Sequence, residues 1–387
     1  MGLPNLDGLT MGSLAGRRGE KWSTYPAEVL PAWVAEMDFP VAEPIHRVLT
    51  SMVASHDVGY PRDALDEGVT ALFAARMQQR FGWKVDPERV ELLSDVVQGM
   101  YLAIETLTEP GSEVVIQTPI YPPFLEAATD NGREIVENRL CHEPGGYSID
   151  FDALERGIGP RTEMLLFCHP HNPTGRAFDR DELQALAEIV VRHGLVVLSD
   201  EIHADLVYAG RKHIPLASLG PEIAARTITL TSATKAFNIP GLRLAVAHFG
   251  SRELQEKFRR IPTHARGGIG LLGIHATIAA WRDGQPWLDH VRDYLEARRN
   301  QLHSLLEARV PEVIFRVPEA TYLAWVDCRS LELATDPAAF FLSEGRVAFS
   351  PGPNFGEGYS SYLRINFATS ATLVDEVVER MARALGR

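Results

Sequence analysis

The sequence predicts an α/β fold, in which a mostly parallel sheet flanked by helices forms a large part and a smaller α+β part completes the chain. Three observations lead there. The runs Glu113–Gln117, Met164–Cys168 and Gly194–Asp200 are apolar along most of their length, as strands are when helices cover both faces of a parallel sheet. Between the last two, Leu183, Leu186, Ala187 and Val190 fall at i, i+3, i+4 and i+7, so strand, amphipathic helix and strand make one right-handed crossover. Each apolar run also ends in polar residues capable of chemistry, and open sheets of this class bind ligands at the carboxyl ends of their strands.

In chain order, 1–33 is rich in Gly, Pro and polar residues and predicts an extended arm. Val58-Gly59-Tyr60-Pro61 reads as a turn, 65–81 as a helix and Val90–Leu93 as a strand. Ser94–Gly99 opens a helical pattern reaching Leu107, whose unpaired first N–H groups, at Val96 and Val97, suit an anion. Thr118–Phe124 follows a strand and puts Tyr121 in a proline-rich turn. His169–Arg176, with Asn172, follows the next strand. Asp179 and Glu182 form a capping box before a helix that Gly194 ends. Asp200 closes the strand after it, either as a functional carboxylate or as a plain helix cap. Thr227–Leu230 and Leu244–Phe249 are further strands. Gly267, Gly268 and Gly270 suggest a mobile active-site segment, and 281–307 a long connecting helix between domains. Thr321–Val326 and Ser361–Phe367 are strand-like.

The stretch around Lys235 organises the chemistry. A lysine where a strand gives way to a polar loop is partly desolvated, which lowers its pKa and lets its amine condense with an aldehyde. Ser232, Thr234 and Arg243 suit a phosphate, as hydroxyl donors and a two-pronged clamp. Lysine and clamp together point to pyridoxal 5′-phosphate. Asp200 would keep the cofactor's ring nitrogen protonated, and Asn172 would donate to its phenolate oxygen.

The motifs His171-Asn172-Pro173-Thr174-Gly175, Ser199-Asp200-Glu201-Ile202-His203 and Ser232-Ala233-Thr234-Lys235 occur in an order and spacing that resemble the fold-type I pyridoxal-phosphate enzymes of the aminotransferase class I/II superfamily. Trp33-Val34-Ala35-Glu36-Met37-Asp38-Phe39 resembles the W-V-A-D-M-D-F segment of its cystathionine β-lyase branch, the MalY/PatB type, with Glu36 in place of Asp. The D-E-I-H form ending in His203 and the T-Y-L-A-W segment holding Tyr322 point the same way. The resemblance implies an aspartate-aminotransferase-like fold: an arm and part of a small domain at 1–50, a large seven-stranded cofactor-binding domain at 51–285, and the rest of the small domain at 286–387. It implies that Tyr121 stacks on the cofactor ring and that His203 lies in the cofactor site. Arg364, Tyr322, Trp33 and Asp38 would bind the substrate, and Tyr60 would reach the cofactor phosphate of a second subunit in a homodimer. Asp95, where relatives have a small residue or Pro, is unfavourable beside a phosphate unless it turns away.

Composition sets limits on partners. At 387 residues, 45% of them hydrophobic and 23% charged, the chain is an ordinary globular protein large enough for two cores. A net charge of −13 argues against nucleic acid and anionic membrane, which require a basic surface. There is neither a membrane-length apolar run nor a leader pattern, so a cytoplasmic protein is expected. Cys141, Cys168 and Cys328 are odd in number and far apart, which reads as reduced thiols. No metal site is expected from His169 and His171, which lack further ligands nearby. The expected activity is β-elimination from L-cystathionine or another L-cysteine S-conjugate, giving thiol, pyruvate and ammonia. Transamination is the alternative that the same lysine, aspartate and asparagine would serve.

Overall fold

Seven of the strands form one sheet, in the order Val90–Leu93, Ala245–Phe249, Thr227–Thr231, Val196–Asp200, Thr162–Cys168, Glu113–Thr118 and Glu134–Arg139. This computed structural model describes residues 3–61, 63–143 and 146–387. All pairings in the sheet are parallel except those of Ala245–Phe249, which runs against both neighbours. Both faces are covered, as the apolar runs predict: Val197 packs into one cluster and Leu198 into the cluster on the other face. The helix Arg180–His193 carries the expected reciprocal cap between Asp179 and Glu182, and Gly194 ends it in the left-handed conformation at φ 72°.

A second, antiparallel sheet orders Ile314–Phe315, Leu323–Asp327, Tyr362–Asn366 and Ser350–Pro351. Leu30–Pro31 pairs in parallel with Val347–Ala348, so the beginning of the chain is tied to its last quarter. The amphipathic helix Ala371–Ala384 covers this region with Leu373, Val374, Val377, Val378 and Met381. No helix among the described residues is long and apolar enough to cross a membrane.

Three expectations need correction. The arm is not simply extended, since it contains the one-turn helices Met11–Leu14 and Glu20–Ser23 and buries Leu6, Leu14 and Lys21. The long helix expected over 281–307 is present as Gln285–Arg309 but starts later than expected, residues 281–283 belonging to the preceding helix Leu271–Asp283, from which Gly284 divides it. A Cβ at Gly284 would lie 2.5 Å from the Ala280 carbonyl oxygen and 2.7 Å from the Phe237 ring, so the division is also a close approach that only glycine permits. The glycine-rich segment at 266–270 packs on the Ser94–Gln98 turn, and Arg266 pairs with Glu91 at 3.0 Å; it does not line the cavity described below.

Gly175 closes the loop that carries Asn172. It adopts φ 71°, its carbonyl accepts from the Glu319 and Ala320 N–H groups at 2.9 Å each, and an added Cβ would meet Pro318 Cβ at 2.2 Å. Gly132 has nearly the same φ, 70°, with nothing within 4 Å of the added atom. Gly132→Ala should therefore cost only the left-handed backbone term, roughly 1–2 kcal/mol. Gly175→Ala should lower the urea midpoint markedly further because Pro318 has to move, and equal midpoints for the two variants would refute the clash.

Candidate active site

A cavity of about 630 Å³ opens at the carboxyl ends of the central strands. Strand Val196–Asp200 delivers Asp200, the loop after Thr162–Cys168 delivers Asn172, and the turn after Glu113–Thr118 delivers Tyr121. The short helix after Thr227–Thr231 brings Ser232, Thr234 and Lys235, with Arg243 beyond it. His203 and the first helical residues Val96 and Val97 complete the expected set. Ten of the fifteen residues singled out in the sequence thus line one space.

Burial sets the protonation of this site. Asp200 is pushed up to about 7, first by burial and against the Ile202 N–H that its Oδ1 accepts at 3.0 Å. Lys235 is brought down to about 8 by burial and then by the Arg364 guanidinium. Burial likewise lowers His203 to about 3, so its imidazole is neutral at physiological pH. Lys235 Nζ donates to the Ala35 carbonyl at 2.8 Å, and the Tyr322 hydroxyl donates to the same oxygen at 2.9 Å.

Arg364 and Tyr322 sit just behind the cavity wall. Arg364 is 4% exposed and donates to Asn172 Oδ1 at 3.0 Å, to Ser350 Oγ at 3.0 Å and to the Trp33 carbonyl at 3.2 Å. It has no carboxylate partner among the described residues, and burial is the cause that lowers its pKa to about 10. Because Arg364 occupies the oxygen of the Asn172 amide, the Nδ2 end is the one left to donate into the cavity.

Other expected residues are placed differently. Asp38 does not line the cavity: its Oδ2 pairs with buried Lys21 at 2.9 Å and its Oδ1 accepts from the Trp22 indole at 2.7 Å. Its carboxylate is spent on anchoring the arm. Trp33 does not line the cavity either; its ring packs edge-on against Tyr25, and its carbonyl is what Arg364 and Ser350 hold. Ser232 spends its single proton on the Leu244 carbonyl at 2.5 Å and accepts from the Thr234 N–H, so it supports Thr234 from behind. Tyr60 is 98% exposed and outside its own chain's cavity. Asp95 caps the Val96–Leu107 helix through Gln98 N–H and pairs with Arg243.

The sequence reading missed Glu20, Cys168 and Ile202 in the cavity wall. It also missed Asn238, whose side chain accepts from Met37 N–H and donates to the Met37 and Phe39 carbonyls. Asn238 stands only three residues after Lys235, and its positive φ of 55°, which asparagine tolerates, is the signal available there.

Comparison with known proteins decides the family. The profile for aminotransferase class I and II matches residues 59–381. The chain belongs to that family. The cystathionine beta-lyase PatB of Bacillus subtilis (strain 168) is 35% identical over 361 residues, covering 92% of this chain and 93% of its own. Cystalysin from Treponema denticola, whose crystal structure contains pyridoxal 5′-phosphate, superposes with a TM-score of 0.93 at 29% identity over 99% of each chain. The PLP-bound C-S lyase from Staphylococcus hominis gives 0.91, again at 29% identity over 99% of both chains. This family member is a pyridoxal-phosphate-dependent enzyme of α/β fold.

Its own residues fit that cofactor. Asp200 has no ion pair among the described residues, so a protonated ring nitrogen would relieve a carboxylate that is otherwise costly to ionise. A desolvated amine and an amide N–H donor face the same volume, and a 12-residue helix begins at it. Only the neutral amine condenses with an aldehyde. Capture of pyridoxal phosphate by the cofactor-free protein should therefore speed up as pH rises through about 8, well below the 10.5 of an ordinary lysine. Stopped-flow absorbance over a pH series checks this, with a free lysine derivative run in parallel; matching profiles would contradict the desolvated amine.

Proposed function

We propose that the protein is a carbon-sulfur β-lyase that cleaves L-cystathionine or another L-cysteine S-conjugate to thiol, pyruvate and ammonia. The observation that carries the amino-acid part is Arg364, a buried guanidinium without a carboxylate partner among the described residues, set within electrostatic reach of the Lys235 amine. A buried cation of this kind is expensive unless an anion joins it, and a substrate α-carboxylate supplies one in bidentate geometry. The β-elimination part is supported by the likeness to PatB over nearly the whole chain.

When bound, the cofactor supplies an electron sink for the pair left at Cα. Lys235 Nζ would hold one end of the cofactor, Asp200 its ring nitrogen and Asn172 Nδ2 its phenolate oxygen. Thr234, Arg243 and the N–H groups of Val96 and Val97 would hold the phosphate, and Tyr121 would lie against the ring. Lys235 Nζ would also be the base that takes the substrate's Cα proton, for which its lowered pKa suits it. Tyr322 keeps the Ala35 carbonyl engaged when the amine leaves it. Transamination needs the same groups and remains the second reading, favoured by the family itself.

Holoenzyme given L-cystathionine should release pyruvate and thiol, and Lys235→Ala should abolish both. Arg364→Ala should lower kcat/KM by about 30- to 5,000-fold, as expected when a buried charge-assisted pair of about 2–5 kcal/mol is truncated. Amino transfer to a keto acid without pyruvate release would select transamination instead.

Tyr60 fits a homodimer in which each subunit completes the phosphate end of its partner's cavity, since it is 98% exposed and does not line its own chain's cavity. Mixing inactive Lys235→Ala with weakened Tyr60→Ala subunits should then regenerate activity, because some hybrid sites draw both intact residues from different chains. No gain after subunit exchange would refute shared sites.

A further inference from the structure

Glu36 stands where its carboxylate has no role in building the fold. Its backbone is fixed: the carbonyl accepts from Lys21 Nζ at 3.2 Å and from Asn366 Nδ2 at 2.7 Å. Its carboxylate has no hydrogen bond or ion pair among the described residues and rests against Gly19, where an added Cβ would lie 3.3 Å from Oε1. It lines the cavity, and Glu20 lines it too, at the more exposed mouth.

Burial raises the Glu36 pKa, with the Asp38 charge adding to that and Lys21, Lys235 and Arg17 opposing it. The opposing cations are mostly committed elsewhere. Lys21 is paired with Asp38 at 2.9 Å, and Arg17 donates to the Asp38 carbonyl at 2.8 Å. Neither Lys21 nor Arg17 reaches the Glu36 carboxylate with a hydrogen bond or ion pair among the described residues, and Lys235 Nζ donates to the Ala35 carbonyl instead. Both cavity carboxylates also act on the groups around the substrate position, Glu36 on Lys235 and Tyr322 and Glu20 on Lys235 and Tyr121.

We propose that Glu36, assisted by Glu20, selects amino-acid substrates whose side chain ends in a cation, so that the preferred cysteine S-conjugates carry a distal ammonium. The α-carboxylate is directed to Arg364 and the distal charge to the cavity-lining carboxylates of Glu36 and Glu20. The inference rests on the lyase reading for its substrate class, but the charge selection itself is a property of binding. A carboxylate in a partly desolvated cavity favours an ammonium over a methyl group of similar size and repels a second carboxylate.

The test uses holoenzyme and three probes: S-(2-aminoethyl)-L-cysteine, S-propyl-L-cysteine and S-carboxymethyl-L-cysteine. Kd comes from the change in cofactor absorbance and turnover from pyruvate release. The aminoethyl conjugate should bind about tenfold tighter than the propyl one, a difference of about 1.4 kcal/mol, with the carboxymethyl conjugate weakest. Glu36→Gln should bring the aminoethyl-to-propyl ratio towards one, and Glu20→Gln, at the exposed mouth, should reduce it less. A wild-type ratio near one, a carboxymethyl preference, or a ratio unmoved by Glu36→Gln overturns the proposal. If the binding order holds while no conjugate yields pyruvate, charge selection stands and the lyase reading falls.

Discussion

The Ala35 carbonyl accepts from both the Lys235 amine and the Tyr322 hydroxyl, and much of the structure serves to keep that oxygen where it is. Trp33–Phe39 has no sheet ladder of its own, yet Ala35, Met37, Asp38 and Phe39 are buried within it. Buried backbone groups need partners. Arg364 and Ser350 take the Trp33 carbonyl, Asn366 takes those of Val34 and Glu36, and Asn238 takes those of Met37 and Phe39. Lys21 and Asn366 share the Glu36 oxygen, and Asp38 N–H bonds Ala368. The segment is a strap sewn down by the arm, the lysine loop and the second sheet at once. A lysine is flexible, so fixing its amine depends on fixing its acceptor.

The same enclosure sets the electrostatics. Removing water raises a carboxylic acid and lowers an amine, an imidazole or a guanidinium, and Asp200, Lys235, His203 and Arg364 all move in those directions. Their charges are left incompletely neutralised by one another. Among the described residues Asp200 has no paired cation and Arg364 no paired anion, Asp200 lining the pocket and Arg364 standing just behind its wall. Such a pocket favours a ligand with a positive centre near Asp200 and a carboxylate near Arg364. Satisfying Asp38 with Lys21 inside the wall, and leaving Glu36 unsatisfied, extends the pattern to a further charge.

Much of this was legible in the sequence because strand ends in a parallel sheet converge by topology. Apolar runs located the strands, and the residues after them had to meet. The meeting of Asp200, Asn172 and Lys235 follows from that geometry, whereas Tyr121 is singled out by the family resemblance. The strap was not legible in the same way. Trp33–Phe39 has no period, and hydrogen bonds from Asn238 and Asn366, about 200 and 330 residues away, leave no local trace. Asp38 shows the consequence: a carboxylate beside large apolar groups reads as a ligand-binding residue until its partner, Lys21, is seen to be buried with it. The division at Gly284 escaped for a similar reason, because only the approach of Phe237 shows what glycine is needed for.

The pairing of Asp95 with Arg243 bears on how an acidic chain could accept an anion beside a carboxylate. Asp95 Oδ1 accepts from Gln98 N–H at 2.7 Å, which fixes the carboxylate as a helix cap. Arg243 reaches it from a loop with its side chain 65% exposed, so it loses little by moving. An exposed ion pair contributes about 0–1 kcal/mol, less than a charge-assisted contact to phosphate at a helix start. Were a phosphate to bind at that helix start, the guanidinium would be the partner to transfer, while the carboxylate stayed on the helix. That end of the cavity would then rest on one exposed cation and backbone N–H groups, whereas the Lys235 amine is held against the strap.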